Sequence, residues 1–378
     1  MRMLIFPYGH DCEPLIRHAH LLEPCYEIAS LVSPGGWGLA GKTVALGDGK
    51  PMLTIHESPK EASEAFDCLF IPPFEAEDDE VENRLADEMG KLLPHVSHVI
   101  CAARLTQANK EKLLKNCQQA NPPCVFTDYS EPHALASYGL AAPAEKYPSL
   151  RLLDVPVAIV AGCWEKTDKF EISLALRERF LENGYRISQV GSRDGCEMLG
   201  FHSFPGFMLS KDVDAADKIV CFNRWIAELS EKEQPDLILI TIPGAIQDFS
   251  EHFTRGFGLL HHQVFQAVLP DALVMCTFYM SDNFEKILRE TSTSCKYKFG
   301  TPIDVFHMSN LFIDINDSEE RDCIVTNSIY RETVSLSLSK KPADCPMPIF
   351  NGLEATECDR IFELLIEKLS PSDVRVLY

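Results

Sequence analysis

At 378 residues, 46% of them hydrophobic and 24% charged, the chain has the composition of a soluble globular protein and the length of two or three domains. Its 35 basic against 56 acidic side chains give a net charge of -21, which disfavours nucleic acid and anionic membrane surfaces as partners and suits a basic peptide or small molecule. No run approaches the roughly 18 apolar residues of a membrane span, the start reads as a strand and not as a signal peptide, and a cytoplasmic location is expected.

Short apolar runs at 3–7, 27–32, 68–71, 98–102 and 124–127 read as buried parallel strands. Helical periodicity lies between several of them, at 81–93 and at 108–119. The second helix opens after Thr106 and is stopped by Asn121-Pro122-Pro123. This alternation predicts a Rossmann-like, doubly wound α/β domain over 1–148, with 143–148 as a linker. Within it Arg17, His18, Trp37 and Lys42 follow strands or open helices and are candidate substrate contacts. Trp37, in a glycine-rich loop, suits either a stacking surface for a peptide or ring, or an aromatic packed over loop backbone.

A second doubly wound domain is expected over 149–295, opening with a strand at 155–161. Its first helix places Ile172, Ala175, Leu176 and Phe180 on one face, and Gly184 closes it. Strands at 186–190, 236–241 and 271–278 alternate with helices at 215–229 and 256–268. After residue 296 the pattern turns to β-like runs at 303–309 and 311–315, with a closing helix at 357–369. Residues 296–378 are therefore expected to form a β-rich α+β extension. The fourteen cysteines show no Cys-x-x-Cys spacing, so reduced thiols are expected, with neither a disulfide framework nor a metal site.

The strand-to-helix loop at 162–169 has the layout of a phosphate loop, in which backbone N–H groups, a helix N-terminus and a lysine receive an anion. Gly162, Lys166, Thr167 and Lys169 are the candidate contacts. The spacing is one residue longer than the strict motif. Asp168 takes the place of the glycine before the lysine, and Phe170 and Glu171 stand where a hydroxyl would hold Mg²⁺. Asp168 with Glu171 reads as a capping box, whose carboxylates would compete with phosphate for the helix N–H groups. A degenerate P-loop NTPase-like domain is expected, with nucleotide or acyl-CoA binding in doubt.

Two further segments leave predicted strand ends, the edge at which open α/β sheets bind ligands. In the first, Gly191 and Ser192 are candidate substrate contacts and Arg193, Glu197 and His202 candidate catalytic groups: a carboxylate clamp, a proton acceptor and a proton shuttle. In the second, Pro243 and Gly244 are candidate substrate contacts that follow Thr241, an uncharged residue where a phosphate-loop protein keeps an acid, and a Pro-Gly turn without chemistry is the leading account of them. His261 and His262 are adjacent on a helix, about 100° apart, and do not face one metal.

Several of these segments resemble a clostridial family of peptide maturation system proteins: Arg17-His18, 31–34, 36–39, Gly41-Lys42, 169–172, 174–178, 189–193, 199–205, 242–244 and 296–300. The resemblance covers nearly the whole chain. It implies a setting beside radical SAM enzymes and bacteriocin-like precursor peptides, and carries over no catalytic residue. More distantly, Gly162, Lys169, Gly191 and Gly195 are similar in layout to D-glutamate N-acetyltransferases that join a Rossmann-like to a phosphate-loop domain. The expected function is maturation of a ribosomally synthesised, post-translationally modified peptide, by binding the precursor or its product. The alternatives are a group transferase or nucleotide-dependent ligase, and a non-catalytic scaffold that presents substrate. Whether the chain is an enzyme stays open at this point.

Overall fold

The computed structural model describes residues 1–378 except 23, 48–51, 62–65, 75, 77, 131, 146–147, 249–254, 282–283, 322, 341–346 and 371–378. Two units emerge: Met1–Glu131 with Arg193–Ser203, and Pro132–Ser192 with Phe204–Tyr378.

The first unit holds β1 (Arg2–Ile5), α1 (Glu13–Arg17), β2 (Glu27–Val32), β3 (Thr43–Ala45), β4 (Met52–His56), β5 (Cys68–Ile71), α2 (Asp79–Leu92), β6 (His98–Cys101), α3 (Gln107–Gln119) and β7 (Val125–Asp128). Its sheet runs β3-β4-β2-β1-β5-β6-β7, parallel except for the β3–β4 pair. Met3, Leu4 and Ile5 are fully buried, as expected of a strand covered on both faces. The chain steps from β1 out to β2 and β4, then returns at β5 on the other side of β1, so the strand order reverses there. Helix α2 starts cleanly because the Asp78 side chain accepts from the Val81 N–H at 2.8 Å, and it buries Leu85, Ala86, Met89 and Leu92. The five strands expected at 3–7, 27–32, 68–71, 98–102 and 124–127 are present, while β3 and β4 are additions.

The second unit holds β8 (Val157–Gly162), α4 (Lys169–Glu182), β9 (Ile187–Val190), α5 (Ala215–Glu233), β10 (Leu237–Thr241), α6 (Leu259–Ala267), β11 (Ala272–Thr277), α7 (Phe284–Phe299), β12 (Val305–Met308), β13 (Leu311–Asp314), α8 (Ile315–Arg321), β14 (Val325–Ser328), α9 (Arg331–Ser339), β15 (Ile349–Phe350) and α10 (Ala355–Leu369). Its sheet is parallel in the order β15-β12-β11-β8-β10-β9, and β13 and β14 form a separate antiparallel pair. One sheet face packs Ala158, Val160, Leu239 and Val274 on Ile172, Leu176 and Phe180 of α4 and on Ile361 and Leu365 of α10. The other packs Ile159, Ala161 and Ile240 on Phe222, Phe265 and Leu288 of the opposite helices. The helix face expected from Ile172, Ala175, Leu176 and Phe180 is thus the buried one. Residues after 296 supply β12 and β15 to this sheet and three helices beside it.

Among the described residues no helix is long and apolar enough to cross a membrane. Phe222 is fully buried, its ring 5.8 Å from Phe204 and 5.9 Å from Trp225. Phe222→Ala is expected to cost about 3–5 kcal/mol, read as a lower urea midpoint for the second unit.

Candidate functional site

The loop from β8 to α4 is drawn tightly onto itself. A β-carbon at Gly162 would lie 2.5 Å from the Trp164 carbonyl oxygen and 2.6 Å from Thr167 Oγ1, so only glycine fits there. Thr167, fully buried, donates its hydroxyl to that same carbonyl at 3.0 Å. The Trp164 ring stacks on Phe278, centroids 5.8 Å apart and planes 8° from parallel. Lys166 extends its ammonium to the Ile324 carbonyl at 3.1 Å. Lys169 is 8% exposed, and its Nζ donates to the Gly244 carbonyl at 2.7 Å. Gly244 sits at φ +80° just after Pro243, beyond the end of β10. Gly162, Thr167, Lys169 and Gly244 are therefore gathered at one place, the carboxyl edge of the second sheet.

Asp168 behaves differently from the expected capping box. Its backbone is left-handed, at φ +59°, and its side chain makes no cap hydrogen bond. A capping residue needs an extended backbone to fold its side chain over the first helical N–H groups, and the left-handed turn points the Cβ elsewhere. The carboxylate accepts a hydrogen bond from Ser309 Oγ, just beyond β12, and lies 3.8 Å from His307 Nε2. His307 and Ser309 are fully buried. The Gly352 N–H donates to His307 Nδ1 at 3.0 Å, which leaves the proton of a neutral ring on Nε2, facing Asp168.

Among the described residues, two buried polar atoms at this edge, Thr241 Oγ1 and His307 Nε2, have no hydrogen-bond partner, while the Thr277 hydroxyl pairs with the Cys163 thiol. Strand alternation puts Thr241 and His307 on the α4 face, in line with Leu239 and Val305. Thr277 falls on the opposite face, in line with Met275. Such unpartnered atoms are rare in folded interiors. His261 of α6 is fully buried, and among the described residues neither ring nitrogen has a hydrogen-bond partner. Burial, with the charges of Lys169 and Lys298, lowers its pKa from the ordinary 6.5 to about 3. It is a neutral group in the folded protein.

A magnesium nucleotide does not fit these residues. The head of α4 carries a carboxylate, Phe170 and Glu171 provide no hydroxyl for the metal, and Thr241 replaces the acid at the end of β10.

The remaining candidates lie elsewhere. Arg17 Nη1 donates to Glu13 Oε2 at 2.9 Å, and the His18 ring is 6.1 Å from that of His20. Trp37 is half-buried and lies over the Gly9 backbone, with a ring atom 3.2 Å from where a β-carbon would be. Lys42 is exposed, and its carbonyl accepts the Ile55 N–H at 2.8 Å. Gly191 and Ser192 end the β9 segment in the second unit, whereas 193–203 belong to the first. Within that segment Arg193 donates to the Asp11 carbonyl. Glu197 accepts from Ser203 N at 2.8 Å and Oγ at 2.7 Å. Arg104 grips Asp194 through two bonds of 2.6 and 2.9 Å. These bonds fix the shape of the segment, and His202 is half-buried beside them.

His307 and Ser309 were not among the candidates expected from sequence. The available signal was a histidine and a serine at alternate positions within an otherwise apolar strand, Val305-Phe306-His307-Met308-Ser309.

No protein-family model and no curated protein sequence matches the chain. A solved structure of a DUF1611 family protein from Anabaena variabilis aligns over 97% of this chain and 99% of its own, with a TM-score of 0.60 at 14% identity. That is a likeness of fold, and it spans the tandem α/β arrangement. An apo-form GTPase from Pyrococcus abyssi aligns over 57% of this chain and 98% of its own, at TM-score 0.31 and 13% identity. Chloroplast FtsY from Physcomitrella patens aligns over 79% and 90%, at 0.29 and 10%. Scores that low carry no structural argument. The phosphate-loop-like architecture of the second unit rests on its own topology, a central parallel strand feeding a helix through the 162–169 loop.

Because His261 stays neutral when folded and takes up a proton when unfolded, its contribution to stability is complete above pH 6.5 and is lost as pH falls toward 3. In that window wild type is expected to lose about 1.4 kcal/mol per pH unit more than His261→Phe, measured by urea titration of both proteins across the range.

Proposed function

We propose that the chain is a peptide maturation protein, acting in the biosynthesis of a ribosomally made, post-translationally modified peptide, and that it binds the precursor or its product at the carboxyl edge of the second sheet. The observation that carries the placement is Asp168: its carboxylate, held by Ser309, stands at the head of α4 where a phosphate loop keeps a glycine. That charge repels phosphate and attracts a basic group, in keeping with the net charge of -21. The sequence resemblance supports the setting, with a radical SAM maturase as partner and the cytoplasm as location. The role is that of a binding protein presenting substrate.

A group transferase or nucleotide-dependent ligase is the second reading, and Lys169 favours it: a buried ammonium is retained at the start of α4, beside Gly162. Calorimetric titration with ATP, GTP and acetyl-CoA, each with and without Mg²⁺, separates the two. No saturable binding is expected with wild type or with Asp168→Gly, which removes one repelling charge but supplies neither the hydroxyl nor the acid that would hold Mg²⁺. Saturable wild-type binding that is lost in Lys169→Ala would overturn the first reading in favour of the second. A labelled lysine-rich peptide should bind wild type and lose affinity several-fold in Asp168→Asn. Equal affinity for both proteins would remove the peptide from this edge.

A further inference from the structure

Helix α3 and strand β7 of the first unit are joined by a short turn with a thiol on either side. Cys117 lies in the last turn of α3, and Cys124 immediately precedes β7. The Cys124 N–H donates to the Cys117 carbonyl at 3.1 Å. That bond makes the two residues direct neighbours across the turn, and their side chains meet, the juxtaposition a disulfide needs. Both side chains pack in one apolar cluster with Leu113, at 1% and 8% exposure for Cys117 and Cys124. They are free thiols in this structure, and each is the other's neighbour: burial first, then the hydrogen bond with Cys124, pushes the Cys117 thiol up. β7 is the outermost strand on its side of the sheet, paired there with β6. At its far end Asp128 is ion-paired with Lys110 of α3.

We propose that Cys117 and Cys124 form a redox-modification site, at which a low-molecular-weight disulfide such as oxidised glutathione generates an intramolecular disulfide that fastens α3 to the edge strand β7. The more exposed Cys124 thiolate attacks oxidised glutathione, forming a mixed disulfide and releasing one glutathione thiolate. The Cys117 thiolate then attacks Cys124 Sγ, closing the protein disulfide and releasing the second glutathione. Two protons and two electrons leave the protein, and one oxidised glutathione becomes two reduced molecules. Together with the Lys110–Asp128 pair, the disulfide would hold the helix–strand unit at both ends.

Trypsin provides a direct readout, because the peptide 116–146 contains Cys117 and Cys124 and no other cysteine. The full-length protein is incubated with oxidised glutathione at mildly alkaline pH, quenched with an alkylating agent, digested and weighed. The exposed Cys25 serves as the internal measure of glutathionylation. The expected result is a 116–146 peptide two hydrogens lighter and unalkylated, restored by dithiothreitol, with an upward shift in melting temperature before reduction. In Cys117→Ser the same peptide should retain glutathione on Cys124. A wild-type peptide bearing two alkyl groups, or glutathione without closure, once Cys25 is fully glutathionylated, would overturn the proposal.

Discussion

Strand β8 is buried along its whole length, hydrogen-bonded to β10 on one side and β11 on the other and covered by helices on both faces. A strand so enclosed has no lateral surface on which to carry polar chemistry, so that chemistry collects beyond its carboxyl end. The parallel arrangement sends β10, β11 and β12 out at the same edge, bringing Gly244, Thr277, His307 and Ser309 there from distant parts of the sequence. The 162–169 loop is the strand's own continuation into that space. The candidate site is thus a product of sheet topology more than of any one motif.

Two charges at this edge are stabilised in different ways. A buried ammonium is costly unless it is hydrogen-bonded, and Lys169 is anchored on a carbonyl from a neighbouring loop. Asp168 occupies a left-handed backbone that its short polar side chain tolerates better than most. A hydroxyl from the end of β12 then satisfies its carboxylate. Each residue is therefore tied to a different strand end. The loop's shape depends on the sheet as much as on its own sequence.

Much of the architecture was legible. The apolar runs of β1, β2, β5, β6 and β8 are long enough to declare buried strands, and Ile172, Leu176 and Phe180 declare the inward face of α4. The additions β3 and β4 have exposed or half-buried residues apart from Ile55, and no clean alternation. Helix α9 was hidden by the opposite effect: Val334-Ser335-Leu336-Ser337-Leu338-Ser339 alternates like a strand, yet Val334 and Ser337 are buried while Leu336 is 57% exposed. At the site, Gly162 and Lys169 were readable because a loop motif is local. Asp168 was misassigned as a cap because residue type does not reveal a positive φ. His307 and Ser309 reach Asp168 across about 140 residues of chain, a relation that local spacing does not encode.

The excursion of residues 193–203 has a consequence for the order in which the protein is made. Arg104 grips a nearly buried Asp194 from a segment synthesised some 90 residues later, and Arg193 reaches back to Asp11 across 182. During translation the sheet of the first unit is complete at β7, well before those partners exist. Arg104 then waits, without this carboxylate, while β8, α4 and β9 emerge from the ribosome. The amino-terminal unit therefore does not finish folding ahead of the next one in simple succession, as most nascent domains do. Its last piece is delivered from within the sequence of its neighbour.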